Sequence, residues 1–346
     1  MPTGTARRPR AKICCMNDDQ TPVISGRPVI DGPRVLDWPS DWGGQEPSLG
    51  EPTANAVNDL HAEISRCEMV LTTSGNYHMA LRELWALYLE KFPPDDPLQN
   101  WLYTTSPPIA GPQIANCLVR FGNFMARCRP QVAVGPGEMA RSLAGSGLTT
   151  GEALPVSRTN GNVILVKKGN PKGIFTVWDL GRGGIRLTTP NPVSEAGSFR
   201  LYSNSIYHIA RLDKSRPAGV SAKGLFDAIF NGAGGDPRKW LCGKGIHHRE
   251  VPWSIAFGKA DAGIIFHHLA RHAKKVFPDL FDMIPLGGTE ESPCPCPGNQ
   301  TETLYAVRIK GDWSPKQLDA TEKLMEMFQS GEFTSILKSN GLSRPY

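Results

Sequence analysis

Apolar residues in this chain fall into two patterns, short unbroken runs and helical stripes, and the two alternate most densely between Asn162 and Gly197. Asn162-Val163-Ile164-Leu165-Val166 is an apolar, β-branched run and predicts a buried strand. Lys168-Gly169-Asn170-Pro171-Lys172-Gly173 breaks it with turn residues. Ile174, Val177, Trp178 and Leu180 are spaced for one face of a short helix, which Gly181, Gly183 and Gly184 stop. Ile185 to Thr189 predicts a second strand, Asn191 to Gly197 a small-residue turn, and Ser198 to Ile209 a helix leaving it. A strand that passes through a loop into a helix start is a common anion or polar-ligand site. Unpaired N–H groups and the helix dipole point out of such a loop.

The alternation continues on both sides. Glu68 to Thr72 predicts a strand, Ser74-Gly75-Asn76-Tyr77 its turn, and Met79 to Phe92 an amphipathic helix closed by Pro93-Pro94. Ser74 and Asn76 read equally as helix caps and as ligand contacts. Asn100 to Thr104 predicts a strand, Thr105-Ser106-Pro107-Pro108 a loop, and Ile109 to Arg127 a helix. Gln131 to Val134 predicts a strand, and Gly135-Pro136-Gly137 opens a helix over Glu138 to Ala144. Of those three residues Pro136 has no N–H to offer a ligand, which favours Gly135. Leu154 to Asn160 reads as a hinge. Ala218 to Asn231 predicts a helix. Ile246 to Trp253 enters another, which Gly258 closes, and Ala260 to Phe266 predicts a strand. Thr303 to Ile309 predicts a returning strand, with helices over Pro315 to Gln329 and Phe333 to Asn340. Residues 1–66 are rich in proline and glycine, lack periodicity, and read as a loose segment.

A chain of 346 residues allows two domains or one two-lobed one. No apolar run approaches the roughly 18 residues of a spanning helix. The net charge of +5 favours an anionic ligand slightly, and it is too diffuse for a nucleic-acid surface. The eight cysteines include Cys14-Cys15 and Cys294-Pro295-Cys296 but no C-x-x-C pair, so they suit neither a structural zinc site nor a disulfide framework. Free thiols and a single bridge both remain open. Arg7-Arg8-Pro9-Arg10 resembles the charged start of an export signal, yet only Ile13 to Met16 follows as an apolar stretch. The expectation is that upstream coding sequence supplies the signal or that Met1 is not the natural start; cytoplasmic location and another export route are the alternatives.

The stretch from Asn162 to Gly197 resembles the substrate-binding proteins of bacterial ABC transporters, of the type II periplasmic-binding fold, and most of all the molybdate and tungstate branch. The resemblance lies in Lys168-Gly169-Asn170-Pro171, Asp179-Leu180, the Ile185 to Thr189 strand and the Val193 to Gly197 loop, with Gly258-Lys259-Ala260-Asp261-Ala262-Gly263 and the closing Phe333 to Leu342 segment in the same order further on. It covers roughly residues 67–346. It implies an α/β fold of two lobes with a five-stranded type of mixed sheet in each and a ligand cleft between them. The implied division is residues 67–159 in lobe 1, 160–299 in lobe 2, and 300–346 returning to lobe 1. It also implies capture of a small anion by lobe closure, delivery to the permease and ATPase subunits of an importer, a monomer, a periplasmic or extracellular location, and no catalysis or cofactor.

By position, the resemblance implies ligand contacts from Ser74, Asn76, Thr105, Ser106, Gly135 and Ser194. Phe266 stands where the molybdate binders have a tyrosine, and Asn76 where they have a serine, so an organic anion is also admitted. His247, His248, His267, His268 and His272 cluster in the sequence. One reading has His247 and His267, with Arg249 as a guanidinium clamp, giving cationic contacts to an anion. Binding would then strengthen as pH falls through about 6.5. The alternatives are a metal site or metal-dependent enzyme built on His247, His248, His267 and His268, a purely structural role, and a cytoplasmic ligand-sensing domain.

Overall fold

A computed structural model describes residues 20–30, 59–61, 69–73, 76–92, 101–106, 109, 111–121, 124–127, 129–233, 235–244 and 246–345. Two mixed sheets organise them, one in each lobe. The first has seven strands, in the order Leu342–Ser343, Thr149–Thr159, Thr303–Ile309, Val132–Pro136, Met69–Thr73, Trp101–Ser106, Asp59–His61. The second has six, in the order Val29–Ile30, Trp240–Cys242, Leu187–Thr189, Ala262–Phe266, Asn162–Lys167, Phe281–Pro285. Val163 to Val166 are 0–3% exposed, as an unbroken apolar run on a sheet covered on both faces must be.

In the first lobe the period of two sorts side chains to two faces. Met69, Leu71, Val132 and Val134 join the core under the helices His78–Lys91 and Pro315–Met327. Val70 and Ala133 join the opposite core with Ala140 and Leu143 of the helix Gly137–Gly145. The second lobe has one large core around Ile164, Tyr202, Phe226, Phe230 and Phe281. Each such side chain, fully buried, contributes roughly 1.5–3 kcal/mol.

The N-terminal segment is not loose where it is described. Val29–Ile30 runs parallel to Trp240–Cys242 as an edge strand of the second sheet. The N–H groups of Ser25 and Gly26 donate to Asn231 Oδ1 at 2.7 and 3.2 Å. Asp59–His61 pairs antiparallel with Trp101–Ser106 at the edge of the first sheet. These additions, with Leu342–Ser343, turn the expected five-stranded sheets into sheets of six and seven.

Three further expectations change. Ile109 to Arg127 is not one helix: a short helix Gly111–Ala115 gives way to the strands Val119–Phe121 and Phe124–Ala126, paired antiparallel. The Gly-Asn pair at 122–123 of the sequence is a break signal that argues against one continuous helix. The Leu154 to Asn160 hinge is largely the end of the strand Thr149–Thr159, held along Thr303–Ile309. The Ala218 to Asn231 helix starts later, at Ala222, where the Ser221 side chain accepts from Gly224 N.

From Asp59–His61 onward the chain passes between the two sheets twice, at Asn160-Gly161 and at Gln300-Thr301-Glu302. Gly161 has φ +78, and a Cβ there would lie 2.9 Å from Pro295 Cγ. The crossings are bonded to each other: Thr159 N donates to Glu302 O at 2.9 Å and Glu302 N to Thr159 Oγ1 at 2.8 Å.

Candidate functional site

Parallel strands aim their carboxyl ends at the face where the lobes meet. In the first lobe Thr72 pairs with Thr104 and Thr73 with Val134; in the second Leu187 pairs with Trp240 and with Ala262, all in parallel. Beyond these ends helices begin: His78–Lys91 and Gly137–Gly145 in the first lobe, Ala196–Leu212, His247–Ala256 and His267–Val276 in the second. The first N–H groups of each helix have no partner within it. Ligands of open α/β sheets bind outside such carboxyl ends.

Several contacts join the two faces. Asn76 Nδ2 donates to Ser198 Oγ at 3.4 Å, and Arg200 pairs with Glu138 at 2.9 Å. His268 Nε2 donates to the Asn76 carbonyl at 2.7 Å, and its ring stacks between Tyr77 and Phe266 with centroids 5.2 and 5.4 Å away. Met79, the second residue of a first-lobe helix, is packed into the second-lobe core.

The loop before Ala196–Leu212 is built by Asn191. Its Oδ1 accepts from Val193 N at 2.9 Å and Ser194 N at 3.2 Å, and its Nδ2 donates to Gly243 O at 3.0 Å. Ser194 Oγ donates to Lys244 O at 2.7 Å, tying this loop to the next. That second loop is closed by Glu250, whose carboxylate accepts from Lys244 N and Ile246 N at 2.8 Å each. Behind both loops runs a buried polar chain. His247 Nδ1 lies 2.5 Å from Glu195 Oε1, its Nε2 lies 3.1 Å from the Tyr202 hydroxyl, and Phe266 N donates to that hydroxyl at 3.3 Å. Burial pushes the Glu195 carboxyl up, but the charge and hydrogen bonds of His247 outweigh it and hold it below the usual range.

Glu302 lies at the second crossing. Tyr77 donates its hydroxyl to Glu302 Oε2 at 3.2 Å. Burial raises the Glu302 carboxyl to about 7, the Tyr77 bond and Arg200 pulling down by less, and Glu138 pushing up. Burial first, and then the Glu302 charge, hold Tyr77 well above the ordinary tyrosine range.

The residues named from sequence separate into groups. Asn76 lies at the meeting face, buried at 6%. Ser194 is at the same face with its hydroxyl hydrogen committed to Lys244. Thr105 and Ser106 end the strand Trp101–Ser106 instead of opening a loop, at the carboxyl edge of the first sheet. Gly135 is inside the strand Val132–Pro136, opposite Tyr305, so the free helical N–H groups begin at Gly137. Ser74 lies outside the described residues.

The cationic cluster is different from its expectation. His247, Arg249, Phe266 and His267 are 0–3% exposed. Arg249 is engaged within the protein. His267 faces carbonyls with both ring nitrogens, Glu290 O at 2.8 Å and Gly341 O at 3.4 Å, which leaves neither for a ligand. Burial drops His268 to about 3, so it stays neutral. Among the described residues no group of three His, Cys, Asp or Glu is placed to hold a metal ion. The described cysteines, Cys117, Cys242, Cys294 and Cys296, are free. The Lys168 to Pro171 turn sits at the far end of its sheet: Val166 pairs with Ala262 while Asn162 pairs with Phe266.

Sequence reasoning passed over Glu195, Ser198, Arg200, Tyr202, Tyr77, Glu138 and Glu302 as site residues. For Glu195 and Ser198 a signal existed, since both flank the predicted helix start. For Glu302 and Tyr77 none did, because their meeting joins positions 225 residues apart.

The family model for bacterial extracellular solute-binding protein matches residues 130–343. Compared with curated proteins by sequence, the chain matches none. Among solved structures, it is similar to the periplasmic molybdate-binding protein of Azotobacter vinelandii, at 15% identity over 81% of this chain and 100% of that one, TM-score 0.53. It is also similar to PEB3 of Campylobacter jejuni with L-phospholactate bound, at 16% identity over 80% and 100%, TM-score 0.53. A third is the sulfate-binding protein SubI of Mycobacterium tuberculosis H37Rv, at 13% identity over 80% and 86%, TM-score 0.52. These likenesses give the fold, a type II periplasmic-binding protein of two lobes. Among the described residues no helix is long and apolar enough to cross a membrane.

Proposed function

This chain belongs to the bacterial extracellular solute-binding proteins, and from that premise we propose that its solute is a small anion held between the lobes. The candidates are an oxyanion of the molybdate or tungstate kind and a small organic anion. The observation that carries this reading is the meeting of helix starts from both lobes at one face, where Asn76 bonds Ser198 and Arg200 pairs with Glu138. Helix dipoles there, with first-turn N–H groups that have no partner within their own helix, favour negative charge and disfavour a cation. The names of the similar structures, with molybdate, sulfate and L-phospholactate, are consistent with such a solute.

Capture proceeds by lobe closure about the two crossings, which replaces the hydration of the anion by N–H groups and hydroxyls from both sides. Ser198, Asn76, Thr105, Ser106 and the N–H groups from Gly137 onward are the proposed contacts, while Ser194 holds its loop through Lys244. The loaded protein then delivers its solute to the permease and ATPase subunits of an ABC importer, outside the cytoplasm. No covalent step is involved.

Calorimetric titration with molybdate, tungstate, sulfate, phosphate and short carboxylates, with a neutral sugar as control, tests the reading. At least one anion binds, and Ser198→Ala weakens it about tenfold or more, the equivalent of roughly 1.5–3 kcal/mol for a hydrogen bond to a charged group. Binding of the sugar and of none of the anions overturns it.

A further inference from the structure

The interlobe face carries a carboxyl group where an anion site would not be expected to tolerate one. Glu302 stands at the return crossing, its backbone locked to Thr159 by bonds of 2.8 and 2.9 Å. Its Oε2 accepts from the Tyr77 hydroxyl at 3.2 Å, and among the described residues no hydrogen bond or ion pair reaches Oε1. The charged groups facing it come from both lobes: Arg200 from the helix Ala196–Leu212 and Glu138 from the helix Gly137–Gly145, which are paired with each other. Tyr77, before the helix His78–Lys91, and Tyr202, with Glu195 and His247 behind it, complete the surroundings. Arg200 is already committed to Glu138, so the Glu302 carboxylate has no cation of its own.

Resting on the anion reading, we propose that Glu302 is a specificity-determining residue that enters the bound state protonated and donates its O–H to the captured anion. A carboxylate would repel an anion in this half-buried place, whereas a carboxylic acid offers one donor to it. Above its own titration range the carboxylate takes one proton from solvent for each dianion bound: carboxylate, proton and dianion give carboxylic acid and bound dianion. Nothing else is consumed. The fold already favours the protonated form, because burial lifts this carboxyl to about 7. The sign follows: below about 7 binding is independent of pH, and above it affinity falls by up to tenfold per pH unit.

The experiment is calorimetric titration of wild type and Glu302→Gln with molybdate and sulfate, dianions throughout pH 6–8.5, in two buffers of different ionisation enthalpy. Wild type loses affinity above pH 7 and takes up a proton on binding. Glu302→Gln, which keeps an N–H donor at the same place, binds with flat affinity and no proton uptake. Flat affinity in wild type overturns the proposal while leaving anion capture standing. Binding of neither ion, nor of any anion in the panel, removes anion capture itself. Independently of any ligand, carboxyl NMR of wild type against Glu302→Gln shows a glutamate titrating near 7, and a midpoint below 5 overturns the proposal on its own.

Discussion

Removing the Glu195 carboxylate tests whether the polar chain behind the binding loops is a structural support. Glu195 Oε1 accepts from His247 Nδ1 at 2.5 Å and from His247 N at 3.2 Å, with side chains 11% and 2% exposed. Glu195→Ala therefore orphans two buried donors and breaks the link to Tyr202. Breaking one partner of a buried charged pair costs about 3–5 kcal/mol. Glu195→Gln keeps an acceptor of the same shape and loses the charge, so its cost is smaller, about 1–2 kcal/mol, because charge-assisted hydrogen bonds are roughly twice as strong as neutral ones. The carboxyl is held below its ordinary 4.5, so its contribution is present above that value and disappears as pH falls through the lower folded one. Urea unfolding of wild type and both variants at pH 7.5, 5 and 3.5 measures this. The gap between wild type and Glu195→Gln is full at pH 7.5 and 5 and narrows toward pH 3.5. A gap of zero at pH 7.5, or one that stays constant down to the lowest pH, refutes the reasoning.

Other perturbations follow from close contacts and burial. Gly263→Ala places a Cβ 2.4 Å from Val251 Cγ1 and 3.3 Å from Ile255 Cδ1, prying a strand from its helix; urea unfolding shows a loss of about 1–3 kcal/mol. Gly161→Ala, at φ +78 and against Pro295, loses at least about 1 kcal/mol in the same assay, more than the gain a chain-stiffening alanine gives elsewhere. Phe266→Ala empties a 0% exposed site stacked on His268 and costs about 3–5 kcal/mol. A chelator leaves anion affinity unchanged within about twofold, and loss of binding on chelation would revive the metal reading of the histidines.

Much of the fold was written in local periodicity. The run Asn162 to Val166 is a strand because four apolar residues in a row, Val163 to Val166, fit a sheet covered on both faces. The turns and caps of the Lys168 to Leu180 stretch were legible for the same reason. Asn170 and Asp179 bond backbone atoms four or fewer residues away. The two lobes were implied by the family resemblance that these pieces carry in order. Local pattern failed where a longer-range partner decided. Val29–Ile30 becomes a strand only by lying along Trp240–Cys242, more than 200 residues away, and Val119–Phe121 pairs antiparallel with Phe124–Ala126 in spite of the helical spacing.

The site divides in the same way. The placement of Asn76 and Ser194 at the meeting face was legible, because residues at strand-to-helix junctions reach the carboxyl edge of a sheet whatever the lobes do. The histidines were not, because spacing places His267 and His268 beside the cleft without saying what fills the space around them. Tertiary packing gives His267 two carbonyls and wedges His268 between Tyr77 and Phe266, and desolvation keeps His268 neutral. Glu302 reverses the case: an ordinary carboxylate in the sequence becomes a group with a perturbed proton because two chain crossings and a tyrosine bury it. Charge state is a property of surroundings, and surroundings are assembled only when the two lobes meet.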